Sequence, residues 1–199
     1  LSGNNTYTGT TTISAGTLAL SGSGSIATSS GVTATGTFDI SSTTSGTSIT
    51  TLAGAGTVTL GSRTLTLTAA NDTFSGAIGG SGGLTLSGGT QTLSGNNTYT
   101  GTTTISAGTL VISHNNGLGS TTGGTIIASG ATLDLYNVTV GNEAITLNGG
   151  MIKDVTSSLS GNIVLTADST FSATNADDQL TLSGVISGGY GITKTGLGT

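Results

Sequence analysis

Eighteen residues of this chain occur twice without a change: Leu1–Leu18 reads LSGNNTYTGTTTISAGTL, and the same string returns at Leu93–Leu110. A shorter period runs inside that spacing. Ala15-Gly16-Thr17-Leu18-Ala19-Leu20 is followed by Thr35-Gly36-Thr37-Phe38-Asp39-Ile40 and by Ala55-Gly56-Thr57-Val58-Thr59-Leu60. A Gly-Thr-apolar-x-apolar core therefore recurs every 20 residues, and Gly76-Ala77-Ile78 keeps the step. A fixed period in this range marks an architecture of stacked units.

Apolar residues alternate at every second position in Thr17–Leu20, Thr64–Thr68, Leu84–Leu86, Thr132–Leu135 and Leu180–Leu182, the pattern of strands with one buried face. Gly- and Ser-rich pieces such as Ser21–Ser25 and Gly79–Gly83 separate them and supply the backbone freedom that corners need. No sustained i, i+3, i+4 apolar spacing marks a helix. The expected fold is all-β: a right-handed parallel β-helix, or β-solenoid, with coils of about 20 residues. Leu18, Phe38, Val58 and Ile78 are expected to form one inward column, and Leu20, Ile40 and Leu60 a second. Ala19, Asp39 and Thr59 should point outward between them. In the second half the pairs Leu110/Ile112, Leu133/Leu135 and Ile145/Leu147 follow at uneven steps, which corner insertions would explain. One coil buries too few side chains to offset the entropy of ordering its backbone, so stability must come from the contact between coils.

Composition narrows the function classes. Only 6% of the 199 residues are charged, and the net charge is −5 with three basic residues, Arg63, Lys153 and Lys194. No phosphate-binding stripe can be built from those, which argues against nucleic-acid binding. Without cysteine there is neither a disulfide scaffold nor a thiolate metal site. No apolar run is long enough for a membrane-spanning helix, and no signal-peptide pattern is present. Leu1 begins inside a repeat and Gly196–Thr199 stops where another copy would follow. The chain reads as a single β-solenoid fragment of a longer repeat protein, with copies at 1–92 and 93–199.

Chemical motifs are thin. Gly79-Gly80-Ser81-Gly82-Gly83 satisfies the letters of G-x-S-x-G, but no helix follows and the single histidine, His114, lies in the polar corner Ser113–Gly117. The calcium nonapeptide G-G-x-G-x-D loses its aspartate to Leu84, and in Gly188–Thr193 to Thr193. Asp177-Asp178 and Lys153-Asp154 are the adjacent charged pairs. Neighbours on a strand point to opposite faces, which spoils a catalytic carboxylate pair, and on a corner both acids would be solvated. Thr-x-Thr strings suggest an ice-binding array, yet the coil-equivalent positions 19, 39 and 59 hold Ala, Asp and Thr. Tyr7 and Tyr99, equivalent in the duplicated string, are candidate contacts for sugar rings because each offers an apolar face and a polar end. No catalytic, metal or cofactor-binding residue is assigned.

Thr73-Phe74-Ser75-Gly76-Ala77-Ile78-Gly79-Gly80-Ser81-Gly82-Gly83-Leu84-Thr85-Leu86, then Leu93-Ser94-Gly95-Asn96-Asn97-Thr98-Tyr99-Thr100-Gly101 and Ala107-Gly108-Thr109-Leu110, resembles the autotransporter-associated β-strand repeat of bacterial type V secretion passengers and large surface adhesins. Leu1–Leu20 matches its second half, and Thr181–Ile192 its first. The resemblance implies a parallel β-helix carried across the outer membrane by a C-terminal barrel, with a repeat that supports export. It points to a non-enzymatic stalk at the cell surface or outside the cell, anchored in the outer membrane in the full-length protein. Expected partners are adjoining repeats or further copies stacked end to end, and host or biofilm surfaces or glycans. A self-assembling filament or sheath subunit, and a carbohydrate-binding or carbohydrate-cleaving β-helix, are the alternatives.

Overall fold

The structure, a computed structural model, describes residues 1–199. It consists of short strands and corners with no helix, and every strand pairing is parallel. Successive coils stack into a β-solenoid, each running through a first, a second and a third face. Ten strands, from Thr11–Ile13 to Ile192–Thr195, make the first face, and eight, from Thr47–Ile49 to Ile186–Ser187, make the third. The second face carries four strands, from Thr17–Gly22 to Ala77–Gly80. It is then irregular over two coils and resumes as three strands, Thr139–Val140, Ser157–Leu159 and Leu180–Leu182. Nine steps along the first face, at the inter-strand spacing of about 4.8 Å, make a stack roughly 43 Å long.

Coil length follows from paired residues. Val32 to Leu52 and Gly54 to Phe74 are 20-residue steps, and Phe74 to Leu93 is 19. Thr109 to Thr132 and Ser169 to Ile192 are 23, the extra residues lying in corners. The uneven series read from the second half has a further cause. Ile145 and Leu147 lie on the third face, so they do not continue Leu133/Leu135; the first-face partner of Leu133 is Ile152, 19 residues on.

Leu18 pairs with Phe38, Phe38 with Val58, and Val58 with Ile78. Phe38, Val58 and Ile78 are fully buried, and Leu18, in the first coil, is half-buried. Leu20, Ile40 and Leu60 are also fully buried on the same three strands. Ala19, Asp39 and Thr59 stand opposite one another between these columns, on the outer side. One core of 37 buried apolar residues runs through the stack. Its first-face column, Ile13–Ala34–Gly54–Phe74–Leu93–Ile112–Leu135, shows how size is balanced. Gly54, at φ 104°, stands opposite Phe74, and a Cβ there would strike the Ala34 carbonyl.

Candidate functional site

The duplicated string occupies two different places in the coil. In the first copy Thr11-Thr12-Ile13 is a first-face strand and Thr17–Gly22 a second-face strand. In the second copy the equivalent Thr103-Thr104-Ile105 lies on the third face and Thr109–Ile112 on the first. The register explains the shift by two faces along the coil. Ile13 reaches Leu93 through Ala34, Gly54 and Phe74, four coils in 80 residues, whereas the string repeats after 92. The remaining dozen residues carry the second copy past the second face to the third.

Both copies retain a local tyrosine–threonine hydrogen bond within the coil and an asparagine bond to the next coil. The Tyr99 hydroxyl lies 2.6 Å from Thr103 Oγ1, and the Tyr7 hydroxyl 2.6 Å from Thr11 Oγ1. Asn97 spans three coils: its Oδ1 accepts from the Ile78 N–H at 2.9 Å, and its Nδ2 donates to the Gly117 carbonyl at 2.7 Å. Asn5 Nδ2 likewise donates to Ser25, one coil on, at 3.0 Å. Asn97 and Tyr99 are buried, so these bonds form away from water, where an unpaired amide or carbonyl would be costly. Tyr99 is therefore withdrawn as a ligand contact: it is 0% exposed because the neighbouring coils close over it. Tyr7 has the same sequence around it but sits in the first coil, 41% exposed.

Sequence reasoning missed three further interior polar side chains. Gln91 is fully buried and reaches across two coils, its Nε2 donating to the carbonyls of Leu52 at 2.9 Å and Asp72 at 3.0 Å. Glu143, 2% exposed, accepts a 2.8 Å hydrogen bond from Thr125 Oγ1. Asp154 is fully buried in line with Leu135 and Ala173 and accepts from the Ser157 N–H, while its Oδ1 has no partner. The signal was the phase of alternation: in Thr90–Leu93 and Met151–Asp154 the inward positions are Gln91 with Leu93, and Ile152 with Asp154.

Burial raises the proton affinity of these carboxyls. For Glu143 desolvation dominates over the Thr125 hydrogen bond, and for Asp154 over its bonds from Ser157 and Val155, with the nearby Asp178 charge adding to the rise. The Tyr99 phenol is pushed well above its ordinary value by burial, against the lowering effect of Thr103 and with a further rise from Glu143. A carboxyl that binds its proton more tightly folded than unfolded stabilises the fold below its ordinary value, and the contribution is lost as pH rises through the raised one. Unfolding free energy is therefore expected to fall from the ordinary glutamate value of 4.5 upward. Glu143→Gln, which keeps an acceptor for Thr125 without a charge, should flatten that slope and stabilise the neutral-pH protein. Denaturant midpoints across the pH range, with an unchanged Glu143→Gln slope counting against the assignment, check it.

The charged and nucleophilic candidates are dispersed. Ser81 Oγ donates to the Gly61 carbonyl of the coil below at 3.2 Å, and His114 Nδ1 accepts from the Asn116 N–H of its own corner at 3.1 Å. Lys153 pairs with Asp134 on the adjacent strand at 2.8 Å, not with Asp154, because Lys153 faces outward and Asp154 inward. Asp177 and Asp178 do lie on a corner, but only Asp177 is exposed. Asp178 is 6% exposed and accepts from the Asn175 backbone N–H and Nδ2, correcting the view of two solvated acids. No group of three or more His, Asp and Glu comes together in the geometry of a metal centre.

A stack of parallel coils, with Asn97, Gln91 and Glu143 in its interior hydrogen-bonded from coil to coil, defines a β-solenoid repeat protein. Residues 1–20 and 79–112 match the model of the passenger-associated-transport-repeat. The match falls on the motif that the sequence resemblance rested on. No curated protein and no solved structure matches the chain. Repeat and fold together fit an autotransporter passenger domain, a surface or extracellular setting, and a structural rather than an enzymatic part.

Proposed function

We propose that this chain is a non-enzymatic stalk segment of a bacterial autotransporter-like adhesin, displayed at the cell surface, where it supports export and holds adhesive elements away from the membrane. The observation that carries it is the use made of the repeated string. In its buried copy Asn97 bonds to both neighbouring coils and Tyr99 to Thr103 of its own coil, instead of lining a cavity. A motif used this way transmits stacking along an axis, which is what a spacer and an export-coupled folding unit require.

The test is made in the full-length gene, with protease added to intact cells. The segment should be cleaved from outside, and deleting Thr73–Leu110 should reduce the amount reaching the surface. Protection of the segment in intact cells would sink the surface reading. Undiminished display after the deletion would sink the export role.

A further inference from the structure

We infer that a hollow on the side of the stack, around Asn137 and Ser158, is a binding subsite for one ring of a neutral carbohydrate. The inference goes beyond the stalk reading, because binding by the purified protein does not depend on where the segment is displayed. The hollow encloses about 280 Å³ and is framed by Asn137, Thr139, Thr156, Ser158 and Gln179. It opens sideways, not along the axis. Thr139 and Ser158 are partners on adjacent second-face strands, and both point outward. The Thr139 N–H donates to Asn115 Oδ1 of the coil below at 2.8 Å. The Ser157 N–H donates to the Gln179 carbonyl of the coil above at 2.9 Å.

Its wall follows from unequal corners. From Asp154 to Ser157 the chain turns in three residues, whereas their partners one coil on, Ala173 and Leu180, are seven apart. The extra residues make the longer corner Thr174–Gln179, which ends at Gln179 in the wall of the hollow. Asp178 pins that corner: its Oδ2 accepts from the Asn175 N–H at 2.8 Å and from Asn175 Nδ2 at 3.0 Å.

Two features separate this hollow from other polar hollows on the stack. Elsewhere the lining hydroxyls are spent. Thr43 and Thr44 donate to the carbonyls of Ile40, Ser45 and Gly22 in one hollow, and Thr51 donates to Asp72 in another. Here the bonds within the chain run from the Val138 and Thr139 N–H groups to Ser157 Oγ and Asn115 Oδ1. The Asn137 amide and the hydroxyls of Thr139, Thr156 and Ser158 bond to no other residue. The second feature is the backbone of Asn137, at φ 51°, since every other residue at positive φ is a glycine. Asparagine is tolerated there when its side chain bonds to nearby backbone, and Asn137 makes no such bond. A strained position that holds a free amide at the edge of a hollow marks a ligand contact. Amides and hydroxyls both donate and accept, as sugar hydroxyls do, and no charged side chain lines the hollow, so the ring that fits is uncharged. The volume lies just below the range of pockets for drug-sized ligands, about 300–1,000 Å³, which suits a single ring. Tyr136, next to Asn137 in the chain, is 50% exposed and offers an aromatic face to an adjoining sugar.

The test applies the protein to an array of neutral and acidic oligosaccharides, and titrates the neutral glycan bound most strongly by calorimetry. Asn137→Gly removes the amide while glycine takes the same φ without strain, so its urea midpoint should be no lower than the parent's. Its Kd should be weaker by about tenfold or more, as expected for a lost polar contact in a small site. Thr139→Ala combined with Ser158→Ala removes two hydroxyls that bond to nothing in the chain, and should weaken binding by a similar factor without loss of stability. Thr44→Ala, in a different hollow, should bind as the parent does. An array that captures the protein on no neutral glycan, a preference for the acidic ones, or parental affinity in either Asn137→Gly or the double variant would each overturn the proposal.

Discussion

Replacing Phe38 by alanine is expected to lower the unfolding free energy by about 3–5 kcal/mol, the range for truncating a buried aromatic ring. The ring is fully buried on the second face with Leu18 on one side and Val58 on the other, so neighbouring coils hold its cavity open from both directions. Solenoid stability is a sum of nearest-neighbour terms, and loss of this contact weakens two interfaces at once. The next residue provides the control. Asp39 faces outward, and its Oδ1 accepts from the Ser41 N–H at 2.8 Å, so the charge is not left without a partner. Serine offers an acceptor at the same place, and Asp39→Ser should change stability by no more than about 0.5 kcal/mol. Urea unfolding of the two variants measures the contrast, and a Phe38→Ala protein as stable as the parent would rule out the inward register.

Asn97→Ala is expected to cost about 2–4 kcal/mol, because it strips partners from the buried Ile78 N–H and Gly117 carbonyl together, at about 1–3 kcal/mol per orphaned group. The same substitution in the identical string, Asn5→Ala, should cost far less. Asn5 is only half-buried in the first coil, and water can replace the side-chain bonds to Gly3 and Ser25. Because the flanking residues are the same in both copies, the difference isolates position in the stack from local sequence. Thermal unfolding of both variants decides it, and equal losses would show that the inter-coil bonds of Asn97 contribute nothing beyond local turn geometry.

Much of the architecture is legible in the residues. Alternation in Leu65-Thr66-Leu67 and Leu84-Thr85-Leu86 marks strands whose leucines stack directly on one another, Leu84 on Leu65 and Leu86 on Leu67. The Gly-Thr-apolar-x-apolar step places Phe38 over Leu18, since a residue added or lost within the strand, unlike one in a corner, would turn the column to the wrong face. Interior polar groups were harder to read. Glu143 and Asp178 sit in segments that look like solvated corners, and their burial depends on how tightly those corners fold back on the coil.

The 18-residue string shows where the sequence stops. By itself it determined two strands, the corner between them, and the bonds from Tyr99 to Thr103 and from Tyr7 to Thr11, all made within a few residues. It did not determine which faces those strands occupy, or whether its tyrosine is buried. Those outcomes follow from coil count. The copies are 92 residues apart, four coils take 80, and the difference carries the second copy two faces on, from first to third. The first copy has only one neighbouring coil and the second has two. Burial in a solenoid is conferred by the coil on either side, so identical residues become surface in one place and core in the other.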